Sequence, residues 1–253
     1  MDATATVGRW SFYDELIDTA PETARISRLT LGRHWVMVES DQGGVGLAQH
    51  FPRLDGQVAT SRPEVIGQPL RSVAGWLKSW DFSQASIGLA ALNAAAQTRT
   101  LRPAESQPPG DAFEFFRPRI QGRKVAVIGH FPGLETLADQ CRLTILERQP
   151  RPGDLPDPAA EYILPEQEVV YMTGTTFINK TITRLLELTR QAEVCVVGPS
   201  TPMIPLLFKY GIHSLSGVVV TDAQELARAL TENCNEEIFE RGAVKVNLMA
   251  GEQ

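Results

Sequence analysis

Nowhere does this chain run apolar for the roughly 18 residues a membrane-spanning helix requires, so no bilayer span is expected. Basic tracts are also missing, and the formal charge is −6. A nucleic acid would therefore find no electrostatic footing. Cysteine is scarce: Cys141, Cys195 and Cys234 are odd in number and far apart, which reads as buried free thiols and not as a disulfide framework or a thiolate metal site. The four histidines, His34, His50, His130 and His213, are scattered, with no pair at ligand spacing within one helix or loop. The chain holds no G-x-S-x-G elbow, no H-E-x-x-H and no G-x-x-x-x-G-K-[ST] loop, and no internal repeat. Acids come early and no apolar signal core opens the chain, so a cytoplasmic protein is expected.

What is present is organised around residues 123–147. Val125–Ile128 is a short β-branched run suited to a parallel strand buried on both faces. It breaks at Gly129-His130-Phe131-Pro132-Gly133. A helical stretch follows from Leu134, and a second apolar strand, Leu143–Leu146, ends in Glu147. Strand, glycine loop, helix, strand and terminal acid form the opening unit of a doubly wound sheet. The loop is not G-x-G-x-x-G, because His130 and Phe131 stand where the crowded glycines belong, and this disfavours a dinucleotide.

Downstream, Glu168–Met172, Val194–Val197 and Leu215–Val220 read as further strands. Helices are expected over 180–190, from Ile204 to Lys209, and over Ala223–Thr231 with Asp222 as cap; a last short strand is expected at Val244–Leu248. Upstream, Trp10–Thr19 has helical spacing up to Pro21. Ile26–Glu39 reads as a pair of extended segments, and Ser40–Phe51 as a glycine-rich strand and turn. The glycines Gly43, Gly44 and Gly46 form either a hairpin turn or a backbone wall facing a ligand. A long alanine-rich helix starts at Phe82, capped by Asp81, and carries Asn93. Polar linker is expected at Gln57–Arg62, and Thr98–Asp111 reads as the exit from a first domain. The expected class is α/β: an α+β domain over residues 1–110, followed by a Rossmann-like, doubly wound parallel sheet over 111–253.

Ligands of open parallel sheets bind beyond the carboxyl ends of the strands. That rule selects Gly129–Gly133, Glu147, Thr173–Asn179 and Gly198–Pro202. These loops offer an imidazole (His130), an acid (Glu147), hydroxyls (Thr173, Thr175, Thr176, Ser200, Thr201) and an amide (Asn179), with helix starts just beyond them.

The chain resembles the heavy-metal chelation domain proteins along nearly its whole length. The resemblance rests on Gly43-Gly44-Val45-Gly46-Leu47, Leu70-Arg71, Lys78-Ser79-Trp80, Ala85 to Ala91 with Asn93, Val127-Ile128-Gly129-His130-Phe131-Pro132, Ile163-Leu164-Pro165 and Val197 to Pro202. It implies a first domain like the N-terminal domain of enolases, a Rossmann-like second domain, and an active site in the cleft between them, used to bind or process a metal or metal-chelating small molecule.

Within that frame His130, Glu147 and Lys78 are the candidate catalytic groups, and His130 with Glu147 the candidate metal ligands. Gly43, Gly44, Gly46, Asn93, Gly129, Thr175, Thr176, Asn179, Ser200 and Thr201 are the candidate ligand-binding residues. The expected cofactor is a metal ion or metal chelate, and the expected partner a small polar or anionic molecule with or without bound metal; self-association is left open. The alternatives are an enzyme acting on such a molecule without metal, or a non-catalytic sensor or carrier.

Overall fold

A computed structural model describes residues 3–51, 62–100, 110–232, 238 and 241–251. The linker at Gln57–Arg62 and the exit at Thr98–Asp111 fall largely outside the described residues, as does Cys234.

The first part opens with helix α1 (Ala3–Asp18). Strands β1 (Ile26–Leu31), β2 (Trp35–Ser40) and β3 (Val45–Gln49) then pair antiparallel in sequence order. After the short α2 (Leu70–Ala74) comes α3 (Phe82–Thr100), which starts where Asp81 accepts the Ser83 N–H at 2.9 Å. Every residue from Ala85 to Ala96 is buried. A helix apolar all round belongs in a core, and the small side chains of α3 let β2, β3 and α2 close on it.

The second part is a seven-stranded sheet. Helix α4 (Ala112–Ile120), capped by Asp111 through the Phe113 N–H, leads into β4 (Lys124–Ile128). Then follow α5 (Glu135–Ala138), β5 (Arg142–Glu147), β6 (Leu155–Pro156), α6 (Ala160–Ile163), β7 (Val169–Thr173), α7 (Ile182–Leu188), β8 (Glu193–Val197), β9 (Ser214–Val220), α8 (Ala223–Thr231) and β10 (Ala243–Met249). Strand order is β10-β9-β8-β7-β4-β5-β6, all parallel except β10, which runs antiparallel to β9. The order reverses between β4 and β7, which is the switch point of a doubly wound sheet. Alternate residues feed opposite faces. Ala126, Val170, Met172, Val194 and Val196 join the core that holds α3. Val125, Val127, Tyr171, Cys195 and Val197 join a second core under α4.

The fold is thus mixed α/β, with a small antiparallel sheet and a large, mostly parallel one. Phe113–Phe116 lies in α4, which Asp111 caps. Two local expectations are corrected. The stretch from Leu134 makes only one turn of helix. Ile204–Lys209 winds as a 3₁₀ helix, Pro205–Tyr210, ended by Gly211 at φ 83°.

Two amides of α3 tie the sheets together. Asn93 Nδ2 donates to the carbonyls of Leu47 (2.8 Å) and Ser200 (3.3 Å). Gln97 donates to the Val218 carbonyl and accepts the Val220 N–H, so it mimics a strand partner for β9.

Candidate functional site

The carboxyl ends of β4, β5, β7 and β8 open into a cavity of about 1030 Å³. Its floor is the strand-end loops, Ile128–Pro132, Leu146–Gln149, the threonines after β7 and Val197–Ser200. The first part closes one side with Trp35, Gln49 and Phe51. Gly110–Phe113 and the β9–β10 pair, including Lys245, close another.

At the switch point the chain fills its own glycine cradle. The Phe131 ring lies 3.4 Å from where a Cβ on Gly129 would stand and 3.5 Å from one on Gly198, and both glycines have φ 102°. Phe113 meets that ring edge-on at 5.5 Å between centroids. An aromatic plug therefore sits where a nucleotide-binding loop would leave room for phosphate.

His130 has the most developed surroundings. Its backbone N–H donates to Glu147 Oε2 at 2.9 Å, and its ring Nδ1 lies 2.9 and 3.2 Å from the two oxygens of Asp154. The Asp154 side chain is only 2% exposed. Burial works against its charge, but the Arg151 N–H at 2.9 Å and His130 outweigh it and hold the carboxyl below the usual range. The other ring nitrogen of His130, Nε2, makes no hydrogen bond among the described residues. Glu147 behaves as a loop clamp: it also accepts the N–H groups of Arg148 (2.7 Å) and Gln149 (3.2 Å).

The remaining hydroxyls and amides are largely committed locally. Thr173 Oγ1 accepts the Thr175 N–H at 3.3 Å and lies 3.1 Å from Thr175 Oγ1. Thr176 donates to the Thr173 carbonyl, and Asn179 Oδ1 accepts from the N–H and hydroxyl of Thr181. Ser200 is 3% exposed and accepts the Gln49 N–H at 2.9 Å, joining the two parts at the cavity edge. Gly129, His130, Glu147, Thr175, Thr176, Asn179 and Ser200 therefore share one cavity.

The other expected site residues lie elsewhere. Lys78 pairs with Asp14 at 2.6 Å and lies over the Trp10 ring, because the turn after α2 faces α1. Gly43 turns the β2–β3 hairpin at φ 85°, and the Gly44 carbonyl accepts the Ser40 N–H in the same turn. Gly46 presses on α3: a methyl there would stand 2.7 Å from the Asn93 carbonyl carbon and closer still to Ala90 O and Ala94 N. The close backbone approach is real, but what approaches is a helix. Asn93 and Thr201 are buried behind the cavity, beside a space of about 10 Å³. The helix starts expected to attract an anion are also weak, since α5 has four residues and α7 seven; so few peptide dipoles add to little.

Six ionisable side chains line the cavity among the described residues: Asp111, Glu147 and Asp157, Arg148 and Lys245, and His130. Lys245 pairs with Asp111 at 2.8 Å and Arg148 with Asp157 at 3.2 Å. Carboxylates thus outnumber fixed cations even before Asp154 is added. No group of three or more His, Cys, Asp or Glu could hold a metal ion among the described residues.

Two family models match the chain, over residues 13–96 and 111–249, and both are described as "Putative heavy-metal chelation". The second is the DUF364 model. The chain belongs to that family. A solved DUF364-family protein of unknown function from Desulfitobacterium hafniense is 38% identical, with a TM-score of 0.86 over 96% of this chain and 99% of that one. Another, from Pyrococcus horikoshii, shares the fold at 20% identity, with a TM-score of 0.77 over 94% and 98% of the two chains. An uncharacterised protein of Methanocaldococcus jannaschii is 28% identical over 168 residues, 63% of this chain. That match spans 64% of the relative's length. No helix among the described residues is long and apolar enough to cross a membrane.

Proposed function

We propose that this DUF364-family protein binds a small organic ligand that carries its own metal ion, in the cavity at the strand ends. The observation behind this reading is the donor set. A resident transition-metal ion such as zinc is held by three or four protein donors, and the described residues assemble no such group. Glu147 spends both oxygens on backbone N–H groups, while Asp111 and Asp157 are matched to cations. What remains is one imidazole nitrogen, Nε2 of His130. One nitrogen holds a bare ion weakly, but it can complete the coordination of a metal already held by a chelator. The size suits such a cargo, since pockets for drug-sized ligands reach about 1,000 Å³. Lining charge argues the same way: an excess of carboxylate favours a metal-bearing or neutral ligand over a free anion.

A second reading has an observation of its own. A buried carboxylate beside a histidine Nδ1 is also how a general base is oriented, and a metal-free enzyme would use the same His130–Asp154 pair on a polar substrate.

Native mass spectrometry of freshly purified protein, with metal analysis after mild denaturation, separates the two. An organic mass released together with metal, and lost in His130→Ala, supports the chelate reading. An organic mass without metal favours the enzyme or a metal-free carrier. Metal retained without any organic mass overturns the chelate reading.

A further inference from the structure

We infer that Asp154 is the positioning residue of this site: it holds His130 as the Nδ1–H tautomer and so makes Nε2 the donor for a metal whose chelator leaves a coordination position open. The inference rests on the metal-chelate reading above and deepens it. An ionised carboxylate can only accept hydrogen bonds. With Nδ1 at 2.9 and 3.2 Å from the Asp154 oxygens, the ring proton of a neutral imidazole belongs on Nδ1. The lone pair then belongs on Nε2, which makes no hydrogen bond among the described residues, in a side chain that lines the cavity. Histidines that bind metals show this arrangement, the second nitrogen donating to a carboxylate that fixes ring and tautomer.

Asp154 is itself held from behind. Its Oδ2 accepts the Arg151 N–H, and its own N–H donates to the Arg151 carbonyl, both at 2.9 Å. The anchor is therefore a closed turn built by Arg151-Pro152-Gly153-Asp154, with Gly153 at φ 99°. Glu147 fixes the backbone of His130 separately. Backbone and ring are thus held by two carboxylates, one ending β5 and the other in the connection that follows it, which leaves the imidazole little freedom except to meet a ligand.

The test uses nickel–nitrilotriacetate, which leaves coordination positions open, and nickel–EDTA, which leaves none. Because His34 and His213 are exposed, both are changed to alanine in every variant. Nitrogen-resolved NMR of the His130 ring reads the tautomer, and paramagnetic broadening of its resonances reads metal contact. The expected result is an Nδ1–H imidazole that is broadened by the nitrilotriacetate complex and not by the EDTA complex. Asp154→Asn should disturb the tautomer and weaken binding about 10- to 100-fold, the usual cost of losing such a carboxylate, with Asp154→Glu recovering part of the loss. An Nε2–H imidazole in the parent protein, or unaltered binding in Asp154→Asn, overturns the positioning role while leaving the chelate reading standing. An Nδ1–H imidazole that neither complex broadens overturns both.

Discussion

Gly46 of β3 runs against the backbone of Ala90 in α3 so closely that no side chain fits between them. A methyl on Gly46 would meet Ala90 O, Ala94 N and Asn93 C, all backbone atoms, so no rotamer change can relieve it. Overpacking a core costs about 1–3 kcal/mol and occasionally more, and this contact lies at the upper end. Gly46→Ala should therefore lower stability by about 3 kcal/mol, a fall of roughly 6–12 °C in Tm. Gly43→Ala is the control: its surroundings are open, so only the strain at φ 85° is felt, about 1 kcal/mol. Thermal melts of both variants check the order, and equal losses would refute it.

This contact also shows how far residues alone can be read. The spacing of Gly43, Gly44 and Gly46 does announce a place where backbone comes close to something, but whether that is a ligand or a helix depends on packing between distant segments. The strands of the large sheet were legible because β4, β7, β8 and β9 are short apolar runs ending in glycine or threonine. Their loops could be located because a parallel sheet puts its crevice at the carboxyl ends. Asp154 and Asp157 were not legible: they lie in a proline-rich run whose only strand, β6, has two residues and no alternation. Trp35, Phe51, Phe113 and Lys245 carry no local signal for a cavity, since only the meeting of the two sheets makes them its walls. Lys78 stands near site motifs in sequence, yet α1 supplies its partner.

Asn93 and Ser200 both tie β3 to the loop after β8, the amide through Leu47 O and Ser200 O and the hydroxyl through Gln49 N–H. Asn93→Ala leaves two carbonyls short of a donor in a buried place, which costs about 1–3 kcal/mol. Because Ser200→Ala cuts the same connection, the two losses should not add. A double-mutant cycle by urea unfolding should return a coupling of at least ~0.5 kcal/mol; strict additivity would mean that the two ties act independently.

Lys180 combines a left-handed backbone, φ 65°, with a half-buried ammonium. Its Nζ donates to the carbonyls of Ser79 and Ile178 and sits 5.2 Å from the Phe82 ring centroid and 5.5 Å from that of Trp80. Burial pushes its pKa down from 10.5 to about 8, with Asp81 opposing the fall. Between those two values the unfolded chain binds the proton more tightly than the folded one, so this group's contribution to stability rises with pH across the window and is lost as pH falls through about 8. Lys180→Met should flatten that part of the stability–pH curve. Lys180→Gly should flatten it too, and also release the backbone strain. Urea unfolding of the three proteins at about pH 7, below the window, and at about pH 10, most of the way through it, measures the difference. A parent slope equal to that of Lys180→Met would exclude the lysine as its source.

Glu147 separates a clamp from a metal ligand. Its two oxygens receive three backbone N–H groups, from His130 at 2.9 Å, Arg148 at 2.7 Å and Gln149 at 3.2 Å. A glutamine at this position would keep one carbonyl oxygen but turn an amide NH₂ toward at least one of those donors, and hydrogen bonds to a charged group are worth about 1.5–3 kcal/mol. Glu147→Gln is therefore expected to lower Tm by roughly 3–12 °C. The His130 ring keeps Asp154 as its own anchor, so affinity for nickel–nitrilotriacetate should fall by less than about tenfold, below the usual effect of removing the carboxylate behind a liganding histidine. The opposite pattern, an unchanged Tm with binding abolished, would make Glu147 a direct ligand of the metal and assign its backbone bonds to a minor role.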